Sequence, residues 1–256
     1  MMDMRVLTET QNCYSNMAED AALIECSHGP VLRLYTWRPS AVSIGYFQSL
    51  TEEVNEEFCR DNGIDVVRRM TGGGAVFHDE HGEVTYSFLC PLDAWRNIAK
   101  QHGKNGDNVM ETYELVCNGV IQALKGLGMN ASFRGINDIE VNGKKISGSA
   151  QTRKRNVLLQ HGTLICRLSE GKMFKALRVG EEKISDKGIK SADARVTSLE
   201  REIGCVDNGE VMRSFVSGFS SALGIDAEPS RLSAEEEAAK LRLIEQFKSR
   251  RWNYQR

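Results

Sequence analysis

Residues 67–79 read Val-Arg-Arg-Met-Thr-Gly-Gly-Gly-Ala-Val-Phe-His-Asp, and no other run restricts the fold of this chain so strongly. Gly72, Gly73 and Gly74 leave three successive backbone units bare and free to take positive φ, so a ligand can approach the main chain closely. Arg68 and Arg69 add fixed positive charge with a fork suited to carboxylate or phosphate. The flanks Ile64-Asp65-Val66-Val67 and Ala75-Val76-Phe77 are apolar and β-branched, which predicts a loop joining two strands. No Gly-Lys-Ser/Thr follows, which excludes a Walker loop, and no helical pattern follows, which excludes a dinucleotide fingerprint. A ligand-free glycine hairpin is the competing account.

A second cluster lies at 135–151, Gly-Ile-Asn-Asp-Ile-Glu-Val-Asn-Gly-Lys-Lys-Ile-Ser-Gly-Ser-Ala-Gln. Ile139-Glu140-Val141 alternates as a strand, Asn142-Gly143 is a hairpin turn signal, and Lys144-Lys145-Ile146 begins the return strand. Neighbouring residues of a strand face opposite ways, so one lysine is expected in solvent and the other directed inward over the small residues 147–150. Such a lysine can follow charge building on a phosphate or carbonyl oxygen. The alternative is a pair of edge-strand lysines that guard against aggregation.

Lys plus Arg total 33 and Asp plus Glu 35, a net charge of −2, so no global basicity points to nucleic acid. No apolar stretch approaches 18 residues, and the first residues lack the apolar core of a signal peptide. The seven cysteines are odd in number and without Cys-x-x-Cys spacing, which suits reduced thiols in the cytoplasm. Helices are expected at 14–26, 52–62, 107–126, 211–223 and 234–247, and strands at 31–37, 41–44, 85–90 and 158–166. The polar stretch 100–106 is expected as a surface loop.

Several motifs occur in one order: Asn16-Met17-Ala18, Ser43-Ile44-Gly45-Tyr46-Phe47-Gln48, the glycine run, Asn137-Asp138, Gly143-Lys144-Lys145-Ile146-Ser147-Gly148-Ser149-Ala150, Gln160-His161-Gly162-Thr163-Leu164, Lys187-Gly188-Ile189-Lys190-Ser191, Arg195-Val196-Thr197 and Trp252-Asn253. This order resembles the lipoate–protein ligase family, in the superfamily that also holds biotin ligases and octanoyltransferases. The resemblance implies one catalytic domain over 1–256, an α/β (α+β) fold with a mixed, largely antiparallel sheet flanked by helices, of the class II synthetase and biotin-ligase type. It implies ATP-dependent activation of lipoate to lipoyl-AMP with Mg²⁺, then transfer to a lysine of a lipoyl domain of a 2-oxoacid dehydrogenase E2 or of a glycine-cleavage H protein.

Carried onto these residues, the resemblance makes Lys145 the catalytic side chain, contacting the acyl carbonyl and the α-phosphate. Gly72, Gly73, Gly74 and Val76 would line the acyl channel, Arg69 would face phosphate or carboxylate, and His78 with Asp79 would close the channel's end. Asn137 and Asp138 would hold the adenylate, with Asp138 as the Mg²⁺ ligand. Ser147, Gly148, His161, Gly162 and Lys187 complete the expected binding set, and the 100–106 segment would cap the site. Taken on their own residues, His78 equally suits a structural histidine and Asn137-Asp138 a turn.

Two departures bear on the activity. Octanoyltransferases of the superfamily pass the acyl group through a cysteine thioester without ATP; in one branch the cysteine precedes the Asn-Asp position, where this chain has Asn130-Ala131-Ser132-Phe133-Arg134. In another branch it follows the lysine motif, where Cys166 stands in apolar surroundings that suit an inert thiol. The chain also ends at Arg256, without the accessory domain of single-chain ligases. The expected protein is therefore the catalytic subunit of a bipartite ligase with a separate accessory subunit. The alternatives are an octanoyl or lipoyl transferase using a cysteine thioester and a non-catalytic lipoate-binding module. A DNA-binding regulator and a biotin ligase fit the motifs less well.

Overall fold

The computed structural model describes residues 3–26, 28–168, 170–178, 195–205 and 207–256. Its strands are β1 (Met4–Gln11), β2 (Val31–Trp37), β3 (Ala41–Ile44), β4 (Asp65–Arg68), β5 (Val76–His78), β6 (Glu83–Pro91), β7 (Ala131–Arg134), β8 (Asp138–Val141), β9 (Lys144–Lys154), β10 (Val157–Ile165) and β11 (Ala227–Pro229). The helices are α1 (Cys13–Cys26), α2 (Leu50–Glu53), α3 (Glu56–Asp61), α4 (Leu92–Gln101), α5 (Val109–Gly126), α6 (Glu170–Ala176), α7 (Leu199–Ile203), α8 (Asn208–Leu223), α9 (Ala234–Lys248) and α10 (Arg250–Asn253).

Eight strands form one sheet in the order β11-β1-β2-β6-β10-β9-β8-β7. β11, β1 and β2 run parallel, and every later neighbour is antiparallel. The mixed, largely antiparallel, helix-flanked sheet expected from the motifs is therefore present. Asn142 and Gly143 take φ of 52° and 74° and turn β8 into β9, the double positive φ of a two-residue hairpin. Arg155 and Asn156, at φ 48° and 60°, make the equivalent turn into β10.

One face of this sheet packs on α5 and α8. Val116, Val120 and Leu124 follow the helical period on α5 and meet Phe215 and Phe219 of α8 over Leu34, Tyr86, Phe88 and Leu158 of the sheet. Asn108 caps α5, its side chain accepting from the N–H groups of Met110 and Glu111. Ser233 and Glu236 form a reciprocal capping box at the start of α9.

On the opposite face, α1 and α9 cover Tyr35 and Trp37. A smaller sheet, β4-β3-β5, lies beside them. The glycine run joins β4 to β5, but these strands do not pair with each other; β3 lies between them, parallel to β4 and antiparallel to β5. The run is thus a crossing loop and not a hairpin.

The single helix expected at 52–62 is two short ones. Val54 is extended and bridges to Leu177, and Asn55 starts a new helix by accepting from the N–H of Phe58. The segment 100–106 does not cap the site: Arg153 donates to the carbonyl of Gly106, His102 meets the carbonyl of Leu223, and none of these residues lines the cavity described below.

Candidate active site

A cavity of about 340 Å³ opens between the two sheets. Its exposed end is made by Gly73, Gly74, Asn137 and Lys145. Its buried end is made by Met17 of α1, Tyr35 and Trp37 of β2, and Thr85 of β6. Val76, Ile165, Met173 and Leu177 supply apolar walls. The strand pattern Arg33-x-Tyr35-x-Trp37 puts three large side chains on one face, and this alternation was the signal for the floor that motif reading missed. Gly148 and Gly162 also line the cavity, whereas Gly72 and Asp138 do not line it and Ser147 is buried away from it.

Lys145 lines the cavity at its exposed end. Its Nζ lies 2.7 Å from Asp138 Oδ1, and both side chains are partly exposed. A Cβ added at Gly148 would come within 2.7 Å of that Nζ, so the glycine provides the space the lysine occupies. The backbone of Lys145 is laced to the segment after the undescribed stretch: its N–H donates to the carbonyl of Arg195 and its carbonyl accepts from Thr197. Asn137 is pinned to β9, its carbonyl accepting from both the N–H and Oγ of Ser149. Lys187, and with it the 187–191 motif, lies outside the described residues.

Arg69 does not present a free fork to an anion. Its Nε donates to Thr71 Oγ1, its Nη1 to the carbonyl and Oγ of Ser43, and its Nη2 to the carbonyls of Gly72 and Gly74. The guanidinium therefore holds the glycine loop in shape. Burial pushes its pKa down to about 10. Gly45 completes the fit, since a Cβ there would sit 2.0 Å from the carbonyl oxygen of Gly73. Arg68 is also spent on structure: it donates to the carbonyls of Gly45, Tyr46 and Gln48 in the loop and of Trp252 and Asn253 near the end of the chain.

Two histidines flank Arg69 in matching arrangements. His161 meets Asp20 through Nδ1 at 3.4 Å and Thr71 Oγ1 through Nε2 at 2.6 Å. His78 meets Glu83 through Nδ1 at 2.7 Å and Ser43 Oγ through Nε2 at 2.8 Å, and its ring stacks on Trp37 at 3.9 Å. A carboxylate at Nδ1 assigns the proton there, so each Nε2 accepts from a hydroxyl and each hydroxyl accepts from Arg69. Burial pulls the His161 pKa down against the raising effect of Asp20. Burial alone would raise Asp20, but Arg33, His161 and Ser87 together outweigh it, and the carboxyl ends below its usual range. Asp79 does not close the channel: it accepts from the N–H of His81 and lies outside the cavity lining.

The donor set does not suit Mg²⁺. The carboxylate of Asp138 is held by Lys145, and among the described residues no group of three or more His, Cys, Asp or Glu side chains could hold a metal. No helix among the described residues is long and apolar enough to cross a membrane. All seven cysteines lie among the described residues as free thiols, and none lines the cavity. Cys166 packs in the helix-side core behind the sheet, where burial pushes its pKa up to about 12.

Residues 12–220 match the model of the lipoyl protein ligase A/B catalytic domain. The octanoyltransferase LipM of Kyrpidia tusciae is 34% identical, covering 94% of each chain. The octanoyltransferase LipM of Bacillus subtilis (strain 168) is 31% identical, again over 94% of each chain. A bipartite lipoate protein ligase from Thermoplasma acidophilum superimposes with a TM-score of 0.85 at 28% identity, covering 99% of this chain and 96% of that one.

These relatives correct the expected activity. The curated proteins similar over nearly their whole length are named octanoyltransferases, which overturns the ATP-dependent ligase with its Mg²⁺ and lipoyl-AMP. The site agrees physically, because the Arg69 donors and the Asp138 carboxylate expected at the phosphates and metal are already engaged within the protein. The separate accessory subunit, inferred from the end of the chain at Arg256, falls with the ligase reading. Family model and relatives agree that the chain belongs to the lipoyl protein ligase A/B catalytic domain family.

Proposed function

We propose that this protein transfers an octanoyl group from a thioester donor to the Nζ of a lysine on a lipoyl domain, either of a 2-oxoacid dehydrogenase E2 or of a glycine-cleavage H protein. The observation that carries the reading is a cavity with apolar walls and a buried aromatic floor whose exposed end holds Lys145. Burying a seven-carbon tail at about 0.8 kcal/mol per carbon contributes roughly 6 kcal/mol toward binding the donor. Tyr35 and Trp37 would meet the end of that tail.

The carbonyl then lies at the exposed end, where the donor's carrier and the acceptor both have access. Attack on it builds negative charge on the carbonyl oxygen, and the Lys145 ammonium stabilises that charge. Asp138 holds the ammonium in place, and the pinned Asn137–Ser149 contact keeps the neighbouring turn rigid. His161, His78 and Arg69 also line the cavity, where they fix the glycine loop through Thr71, Ser43 and the carbonyls of Gly72 and Gly74. Free thiols throughout the chain suit a cytoplasmic location.

Octanoyl-pantetheine and a purified lipoyl domain, incubated with the protein in the absence of ATP, test the reading. One octanoyl group should appear on the acceptor lysine by mass spectrometry. An acceptor that stays unmodified with thioester donors would rule the reading out.

A further inference from the structure

Resting on the octanoyl-transfer reading for the identity of the acceptor, we propose that the rim of the cavity mouth, marked by Phe47 and Ile136, is the docking surface for the acceptor lipoyl domain and takes it through acidic residues that flank its target lysine. Phe47 and Ile136 are the two most exposed large apolar side chains among the described residues, at 68% and 64%. Single exposed apolar side chains are ordinary. These two belong to the two elements that make the mouth. Phe47 packs against the glycine loop, where a Cβ at Gly72 would come within 3.9 Å of its ring, and the next residue, Gly73, lines the cavity. Ile136 precedes Asn137, which lines the same end from the turn between β7 and β8.

The charge around the rim is positive. Between Glu140 and Glu170 the sequence has Lys144, Lys145, Arg153, Lys154, Arg155 and Arg167 and no Asp or Glu, in a chain whose net charge is −2. Lys154 holds its ammonium 4.8 Å from the centre of the Tyr46 ring, and Arg256 holds its guanidinium 5.1 Å from that of Phe47. Tyr46 meets Phe47 edge-on and Trp252 at a tilt, so the loop beside the glycine run carries an aromatic cluster with a cation over two of its rings. Arg155 is paired with Glu25, but among the described residues neither Lys154 nor Arg256 has an Asp or Glu side chain as an ion-pair partner. Partial burial lowers the Lys154 pKa with no opposing charge to raise it. A carboxylate brought to this ammonium supplies the missing charge-assisted hydrogen bond.

Reach selects the occupant. The acceptor's nucleophile sits on a four-carbon stem, so the backbone that carries it must come within one lysine side chain of the carbonyl beside Lys145. The surface it meets there is the rim. A donor thioester on a pantetheine arm holds its carrier further off and needs no contact with Phe47 or Ile136. Aromatic and arginine side chains are the types enriched in protein interfaces, and the chain lacks the overall basicity of a nucleic-acid binder.

The experiment uses the whole protein with octanoyl-pantetheine as donor, so that no carrier protein takes part. A double variant with Lys154→Glu and Arg256→Glu should raise KM for the lipoyl domain about tenfold. Its KM for octanoyl-pantetheine, and its transfer to a short lysine peptide, should stay within about a factor of two of the parent. Added salt should raise the parent's KM for the domain and leave that of the double variant nearly unchanged. Lys154→Gln and Arg256→Gln should shift the same KM in the same direction by less, which keeps the test open should the double variant melt early. Phe47→Ala and Ile136→Ala should raise it without altering its salt dependence. A normal KM for the lipoyl domain in folded charge variants would overturn the proposal. A raised KM for octanoyl on a carrier protein, beside an unchanged KM for the lipoyl domain, would overturn it too and give the surface to the donor's carrier. Affinity for the unmodified lipoyl domain, measured by calorimetry without donor, separates docking from chemistry. Affinity that the double variant loses, in a protein that modifies no acceptor from any thioester, would keep the docking surface and remove the transfer reading; equal affinities of parent and variant would remove the docking surface.

Discussion

Lys145 Nζ and Asp138 Oδ1 meet at 2.7 Å across the β8–β9 pair, close to the register shift at Ile139 and Glu140. The irregularity turns a strand lysine toward the cavity mouth, as β-bulges re-aim side chains elsewhere. A charge placed there acts on the reacting carbonyl and contributes little to folding, because partly exposed ion pairs are worth only about 0–1 kcal/mol. Lys145→Ala should therefore lower kcat by about 10²–10³ while the urea midpoint barely moves. Asp138→Asn should give a smaller loss, from a lysine less firmly held. A Lys145→Ala protein that transfers at the parent rate would remove Lys145 from the chemistry.

Gly148 and Gly162 lie on neighbouring strands, and their alanine variants should fail differently. At Gly148 the added methyl meets the far end of the flexible Lys145 side chain, which can move. Gly148→Ala should keep most of its stability and lose turnover, read as a fall in kcat with an unshifted melting curve. At Gly162 the methyl meets the Gly148 carbonyl and the buried Tyr86 ring, neither of which can yield easily. Overpacking of this kind costs about 1–3 kcal/mol, so Gly162→Ala should unfold at lower urea. Equal melting curves for the two variants would contradict this account.

Acid should weaken the fold in two stages. The folded His161 has a lowered pKa, so below the ordinary value of 6.5 the unfolded chain binds the extra proton first. Its contribution is full above 6.5 and is lost as pH falls toward the folded value. Asp20 and Glu19 also have lowered pKa values, where burial is outweighed mainly by Arg33, so their contribution is present above the ordinary carboxyl range and is lost on further acidification. Urea midpoints measured from pH 7 to pH 3 should fall gently at first and then steeply. His161→Gln should flatten the first stage, and a first stage unchanged in that variant would show that another group titrates there.

Much of the fold and part of the site were legible because their causes are local. Asn142-Gly143 supplies the two positive φ values a tight hairpin needs, and the periodic apolar positions of α5 mark a helix whatever packs on it. The space left for Lys145 by Gly148 followed from small residues beside adjacent lysines. What stayed hidden depends on distant partners. Arg69 reads as an anion fork in sequence, and only the folded loop shows its donors turned to Thr71, Ser43, Gly72 and Gly74. The sequence predicts that the glycine run joins two strands, but not that β3 lies between them, because β3 comes from more than twenty residues earlier. The exclusion of Cys166 from the cavity depends on which face of the sheet it occupies, and the apolar residues around it fit either face.

Arg68 and Asn253 tie the glycine loop to the end of the chain. The Oδ1 of Asn253 accepts from the N–H of Arg68, its carbonyl accepts from Arg68 Nη2, and its Nδ2 donates to the carbonyl of Phe247. Trp252 Nε1 closes the contact on the carbonyl of Arg68. Asn253→Ala removes the side-chain bonds and leaves the buried Arg68 N–H without its acceptor, a loss of about 1–3 kcal/mol. Because Arg68 also holds the carbonyls of Gly45, Tyr46 and Gln48, the loosening should reach the segment against which Gly73 packs. The expected result is a lower melting temperature together with a raised KM for octanoyl-pantetheine, with kcat less affected because Lys145 stands on a different sheet. A variant with normal stability and a normal KM would separate the end of the chain from the active-site loop.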